Sequence, residues 1–477
     1  MDSEPIETRE NLAALLMNHP AAATDPLLHT ATESVSTGAA QRRAVAIARE
    51  LRAAGVQPGH AVAVQLPNGP DVVISMMGIW LAQAVFIPVN PQLPASELDA
   101  VLTPTAPFAI IGPDGLRTTG SGKTYDPGTA FILWTSGTTG RPKPILHTHR
   151  AYLELIDRVL GSLTGSGGRT STTPSPNLIP VSLALNAGIY NSLFGLRAGA
   201  PLVIMDRFDT STFASLVRRF EIRSTVLPPA AITMLNDDPE IKDLWPLKYV
   251  RSITAPLSPL QARMFTTRYC AFVLNSYGQA EIGEVVGWTA ADAKAHPDKI
   301  GAVGRPHAGV ELKIVSDNGD LAGPNQVGQL WVKPPNMSTG YASDDDLADR
   351  IDSDGYLATG DLARIDEDNF VWIEGRLSDV INRGGNKIFP DEVEEVLRLA
   401  SEVDDVAVVG VPDERLGEIP VAFVVSKDTL DSTGLQMHCR EHLVPYKVPV
   451  EFHKVEVIPR NDVGKVLRRQ LSAGYRG

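Results

Sequence analysis

Short apolar runs rich in β-branched residues alternate with helical patterns along most of the chain, and no other feature constrains the fold as tightly. HAVAVQL (60–66) is followed by VVISMMGIWLAQA (72–84) and VFIPV (85–89), and PLVIM (201–205), FASLVRRFE (213–221) and STVLP (224–228) repeat the order. Strand, helix and strand in succession make parallel pairs whose helices cover the sheet faces. The expected class is α/β, a large N-terminal body of several subdomains with parallel sheets plus a small C-terminal α+β domain.

At 477 residues the chain exceeds what one hydrophobic core supports, so more than one domain is expected. The boundary is placed in EGRLSDVINRGGNKIFPDEVEEVL (374–397), where the strand-like NFVWIEG gives way to a polar, glycine-containing stretch. Pro390, Asp391 and Glu392 then open a helix, with proline in its first turn and acids favoured by the dipole. Val393, Val396, Leu397 and Ala400 supply its apolar stripe. The strand candidates DVAVVGV and PVAFVV follow. The expected domains are therefore 1–377 and 378–477. The Gly/Ser/Thr-rich GSLTGSGGRTSTTPSPN (161–177) reads as a surface loop.

A net charge of -13 argues against nucleic acid or an anionic membrane as partner. Two cysteines, Cys270 and Cys439, lie far apart and suggest neither a disulfide framework nor a zinc site, which favours a reducing cytoplasm. The N-terminus lacks the basic start and apolar stretch of a signal peptide. Val72–Val89 is uncharged and long enough for a membrane span. Its better reading is a buried helix to about Ala84 and then a strand stopped by NPQLP.

The stretch FILWTSGTTGRPKP (131–144) places Thr135, Ser136, Gly137, Thr138, Thr139, Gly140 and Lys143 behind an apolar strand. Such residues point backbone N–H groups and hydroxyls at oxygen anions, and the lysine adds a fixed positive charge. The pattern is not the Walker loop, because Pro144 follows Lys143.

TSGTTGRPK resembles the signature loop of the adenylate-forming superfamily, which includes acyl-CoA and aryl-CoA synthetases, peptide-synthetase adenylation domains and firefly luciferase. Five further motifs of that superfamily follow in order: NSYGQAEIGE from Asn275, GAVGRP from Gly301, YLATGDLARID from Tyr356, WIEGRLSDVINRGGNKIFPDEVEEVL from Trp372, and IPRNDVGKVLRRQL from Ile458. The resemblance implies attack of a carboxylate on the α-phosphate of ATP, giving an acyl-adenylate and pyrophosphate, and then attack by a thiol to give a thioester and AMP.

It also implies roles. The loop 135–140 with Lys143 would hold the β- and γ-phosphates, and Glu281 would ligate Mg2+, a cation that prefers carboxylate and phosphate oxygen. Tyr277, beside Gly278 and Gln279, would face the adenine. Asp361 would accept from the ribose hydroxyls, and Arg376 would donate to ribose or phosphate. Lys465 would bridge the substrate carboxylate and the α-phosphate. The C-terminal domain would be mobile, rotating about a hinge near Ser378 between the half-reactions and presenting Gly384 and Gly385 to a pantetheine tunnel. Coenzyme A, or the phosphopantetheine of a carrier protein, would supply the thiol.

Several positions depart from the superfamily pattern. Ala280 replaces a threonine, Pro144 a glycine, Ser378 an acidic or basic hinge residue, and Ile253 and Thr254 two glycines before Ala255. The acid pocket expected from Leu185, Asn186, Ala187 and Gly188 lacks the usual histidine, whose position Leu185 takes. Asn186 either caps a helix or bonds a hydroxyl or amino group of an aromatic acid. The expected function is an ATP-dependent carboxylic acid–CoA ligase acting through an acyl-adenylate on an aryl (hydroxy- or amino-substituted) or other small carboxylic acid, as a monomer or homodimer. The rivals are transfer to a carrier-protein thiol and a catalytically degenerate nucleotide-binding protein.

Overall fold

A computed structural model describes residues 11–136, 142–164, 174–338, 340–341, 347–427, 429–460 and 465–475. The chain divides into two compact units, Met1–Val310 with Pro334–Gly355, and Glu311–Lys333 with Tyr356–Gly477.

The first unit is built on two sheets, as the alternating pattern implies. In the seven-stranded sheet, Ala109–Gly112, Ala61–Val64, Val85–Pro88 and Thr129–Ser136 run parallel, with antiparallel strands at the edges. The nine-stranded sheet has Leu202–Ile204, Asn177–Ile179, Ser224–Leu227, Tyr249–Ser252 and Phe272–Gln279 in parallel register, and Gly283–Gly287 turning back antiparallel. Parallel strands buried on both faces read as continuous apolar runs, and Ala61–Val64 and Val85–Pro88 are buried at every position.

The segment once eligible as a membrane span is the helix Pro70–Leu81 followed by that strand. Its 12 residues rise about 18 Å, short of the hydrocarbon core. Trp80 is fully buried and its Nε1 donates to the Ala130 carbonyl at 2.6 Å, which fixes this helix to the seven-stranded sheet. No helix among the described residues is long and apolar enough to cross a membrane. The helix His149–Thr164 extends into the Gly/Ser/Thr-rich segment expected as loop, and residues 165–173 of that segment lie outside the described residues.

The second unit is α+β. A four-stranded antiparallel sheet (Glu311–Val315, Gly328–Lys333, Leu357–Ile365, Val371–Arg376) precedes a five-stranded one centred on the hairpin Asp405–Asp413 and Gly417–Val425. The helix Pro390–Leu397 forms as its opening residues predict, burying Val393 and Leu397. It also buries Glu394, an acid the apolar stripe did not anticipate.

Candidate active site

In the first unit, Lys143 lies on the strand Pro142–Thr148, opposite Thr135 in the antiparallel register. Gly137, Thr138, Thr139 and Gly140 lie outside the described residues. The Lys143 ammonium sits 5.4 Å from the centre of the Tyr341 ring. Tyr341 lies on Gly340–Tyr341, which pairs with Leu146 and Ile145 on the strand carrying Lys143.

Tyr277, Gly278 and Gln279 end the strand Phe272–Gln279 at a bulge. A Cβ at Gly278 would approach the Gly283 carbonyl oxygen to 2.1 Å, so only glycine allows this turn. The turn carries Glu281 inward, where it is 7% exposed. Its Oε1 accepts from the Tyr341 hydroxyl at 2.9 Å and from Arg350 Nη1 at 3.0 Å. Arg350 also donates to the Tyr341 oxygen at 3.2 Å and to Gln279 Oε1 at 3.3 Å. Burial and then the Glu281 charge push the Tyr341 phenol up to about 12, so it stays a donor at neutral pH. Burial opposes the Arg350 charge, yet Glu281 and Tyr341 hold its pKa above the usual value.

Among the described residues Oε2 of Glu281 accepts no hydrogen bond, so one hard oxygen stays available for a cation. No cluster of three His, Cys, Asp or Glu side chains occurs there. A cation at Glu281 would draw its other ligands from phosphate and water, as Mg2+ habitually does. The residues present therefore fit the metal.

The helix Asn186–Arg197 begins at the predicted acid pocket. Leu185 is its N-cap, so Asn186 is not the cap that was one of its two readings. Asn186 Oδ1 instead accepts from the Tyr152 hydroxyl at 2.7 Å. Ala187 and Ile253 pack against the same hydrophobic core. A Cβ at Gly188 would meet the Ser182 carbonyl at 2.2 Å, which accounts for a glycine there. Thr254, standing where the superfamily has glycine, keeps a left-handed backbone (φ 77°) that strains a β-branched residue, and Ala255 follows it half-buried.

In the second unit, Asp361 and Arg376 face each other across neighbouring strands, with Arg376 Nε 2.9 Å from Asp361 Oδ1. Asp361 is 4% exposed. Lys465 belongs to the same group: burial first, and then the Arg376 charge, lower its pKa, while Asp379 and Asp361 oppose the shift. Ser378 lies in the turn Leu377–Asp379 and donates to Asp379 Oδ1 at 2.9 Å. Gly384 and Gly385 (φ 57° and 89°) form the exposed two-residue tip between Ile381–Arg383 and Asn386–Ile388.

Sequence reasoning missed Tyr341, Arg350, Tyr152 and Arg468. Tyr341 and Arg350 surround a predicted residue but carry no spacing signal of their own. A surface cleft of 540 Å³, lined by Asn11, His19, Arg150 and Asp157 among others, contains none of the predicted residues.

The profile of the family described as AMP-binding enzyme matches residues 16–127 and 123–342, and that of the AMP-binding enzyme C-terminal domain matches 392–465. The chain belongs to the AMP-binding enzyme family. Relatives of this AMP-binding enzyme include the sulfoacetate–CoA ligase of Cupriavidus necator, 28% identical over 98% of both chains. The peroxisomal OPC-8:0-CoA ligase 1 of Arabidopsis thaliana is 30% identical over 72% of this chain, which spans 63% of that protein. The ATP-bound structure of MatB from Rhodopseudomonas palustris superposes with a TM-score of 0.85 at 26% identity, covering 98% of this chain and 99% of that one. The family and fold expected from the six ordered motifs are borne out, and the expected ligase class agrees with the names of both relatives.

Proposed function

We propose that this AMP-binding enzyme joins a small carboxylic acid to the thiol of coenzyme A at the cost of ATP. A carboxylate oxygen attacks the α-phosphorus, the bond to pyrophosphate breaks, and acyl-AMP forms. The thiolate then attacks the acyl carbonyl and AMP leaves. The observation that carries this reading is the Glu281 arrangement, with one oxygen held by Arg350 and Tyr341 and the other without a hydrogen bond among the described residues, and with Lys143 over the same tyrosine.

Lys143 and the loop before it would steady the terminal phosphates, where charge grows as pyrophosphate departs. Glu281 would hold Mg2+, which would supply charge neutralisation to the departing pyrophosphate. Asp361 and Arg376 would meet the ribose and phosphate, and Lys465 would bring the carboxylate to the phosphorus. The unit from Ser378 onward would turn between the two steps, with Gly384 and Gly385 then lining the thiol's path.

The acid is proposed to be an aryl acid carrying a hydroxyl or amino group, or another small acid. The amide of Asn186, anchored by Tyr152 beside apolar Ala187, supports that choice. Acid-dependent exchange of pyrophosphate into ATP across a panel of aryl, short-chain and long-chain acids tests the first step, and thioester formation with CoA alone tests the second. Exchange with no acid in the panel would remove the adenylation reading, and turnover only with a carrier protein would remove CoA as acceptor.

A further inference from the structure

Arg350 is the one charged group bonded to Glu281 among the described residues, and nothing in the motif pattern marks it. Its geometry distinguishes two roles. An arginine that merely occupies a cation's place should hold both carboxylate oxygens, or hold the carboxylate alone. Arg350 does neither. It binds Oε1 only, shares that oxygen with the Tyr341 hydroxyl, and is tied to Tyr341 and to Gln279 as well. Among the described residues it holds Gln279 on one strand, Tyr341 on another and Glu281 in the turn, which makes it part of the frame that aims the carboxylate, with its side chain about two-thirds buried.

We propose that Arg350 is a positioning residue of the nucleotide site: it fixes Glu281 so that Oε2 alone faces a divalent cation, and its charge makes cation binding depend on the nucleotide. The inference rests on the reading of Glu281 as metal ligand. Glu281 and Arg350 together carry no net charge. A carboxylate facing a fixed guanidinium a few ångströms away attracts a free divalent ion poorly, since the two cations repel in a site of low effective dielectric. The phosphates of ATP bring the negative charge that the pair lacks. The cation therefore arrives with the nucleotide, onto an oxygen already aimed at it.

The test uses Mn2+ as the probe, a hard cation of the same ligand preference as Mg2+, and follows depletion of its free paramagnetic resonance signal by the full-length protein with and without ATP, counting as depletion only the loss beyond that in the same solution without protein, since ATP itself binds the ion. In the unmodified protein, depletion should require ATP. Arg350→Gln should tighten binding of Mn2+ alone by about tenfold or more, the size expected for removing one facing charge, while slowing acid-dependent pyrophosphate exchange. Opposite signs in the two readouts are the signature, because a merely damaged site would lose both. Arg350→Lys keeps the charge but not the three-way reach, so Mn2+ alone should stay weakly bound while exchange falls. Tyr341→Phe removes the second bond to Oε1 and one of the ties on Arg350 while keeping the arginine charge, and should behave like the lysine variant.

Glu281→Gln separates the inference from the reading beneath it. Mn2+ depletion that survives Glu281→Gln in the presence of ATP would overturn the ligand assignment, and the inference with it. If Glu281→Gln abolishes depletion but Arg350→Gln leaves binding of Mn2+ alone unchanged, the ligand assignment stands and the role of Arg350 is wrong.

Discussion

Each unit buries a glutamate against an arginine, and the two are built differently. Glu394 in the second unit is 3% exposed and both its oxygens are taken: Oε1 by the Val408 N–H at 2.8 Å and by Arg468, and Oε2 by Arg398 at 3.1 Å. Glu281 in the first unit has two bonds on Oε1 and none on Oε2 among the described residues. A saturated buried carboxylate serves the fold, because every lone pair left unmet there would weaken it. A carboxylate bonded on one oxygen only keeps the other for a further ligand, which is the role proposed for Glu281.

The largest expected effect comes from breaking the saturated site. Arg468 joins Glu394 and Asp391 of the helix Pro390–Leu397 to the Val408 carbonyl of the neighbouring strand. Arg468→Met should destabilise the second unit by about 3–5 kcal/mol, since it takes one of two arginines from the buried Glu394 and breaks the link to Asp391 and to the Val408 carbonyl. Hydrogen exchange over 390–397 and 405–413 would report it. Arg350→Gln, at a more open pair, should cost the first unit only about 1 kcal/mol. Equal losses in the two variants would break the distinction between a structural and a functional acid.

Lys465 lies three residues before Arg468, so the saturated network also anchors the segment that carries the proposed catalytic lysine. Lys465→Ala should lower adenylation by about 100-fold or more, the scale for loss of a charge that stabilises the transition state. Thioester formation from pre-made adenylate should be spared, and the melting behaviour of the unit unchanged. Equal loss of both half-reactions would remove the rotation proposed about Ser378.

Acid should separate the units. Burial opposes ionisation of Glu394, but Arg468 and Arg398 outweigh it and leave its pKa below the ordinary value of 4.5. A lowered carboxylate contributes stability that is fully present above pH 4.5 and is lost as pH falls through the lower folded value. In the first unit, burial alone depresses His147 to about 3 and His149 to about 4. Unfolded histidine takes up a proton near pH 6.5 while these rings stay neutral, so stability there falls from pH 6.5 downward. Hydrogen exchange at stepped pH should show the first unit losing protection first. Arg468→Met should keep that order and flatten the acid loss of the second unit, because Glu394, left with Arg398 and the Val408 N–H, would no longer be held as far below its ordinary value.

The alternation of apolar runs made the parallel sheets legible, because β-branched strands flanked by helices have few other packings. Lys143, Glu281, Asp361, Arg376 and Lys465 stood out through motif order, and the structure brings Lys143 and Glu281 to Tyr341 and groups Asp361, Arg376 and Lys465, which supports the roles proposed for them. Arg350, Tyr341 and Arg468 did not stand out. They act by reaching across sequence separations of 69, 60 and 74 residues to bond a glutamate, and pairing at that range leaves no periodic trace. The buried Glu394 was hidden for the same reason, inside a helix whose apolar stripe is complete without it.

The smallest effect tests whether the half-held arrangement recurs at the acid pocket. Asn186 resembles Glu281 in being held at one atom: Oδ1 accepts from Tyr152, and among the described residues Nδ2 has no partner. Tyr152 is itself buried, with its ring edge-on to Phe131 at 4.8 Å, so the hydroxyl is a fixed donor. Tyr152→Phe should cost about 1 kcal/mol of stability, the net worth of one such bond, and should free the amide to turn. Asn186→Ala removes the amide altogether. If Asn186 selects a ring substituent, the alanine variant should lower the ratio of hydroxylated to plain aryl acids activated in pyrophosphate exchange, and Tyr152→Phe should lower it less. A ratio unchanged in Asn186→Ala would mean that the amide serves packing, and that the half-held arrangement proposed for Glu281 does not recur at the acid pocket.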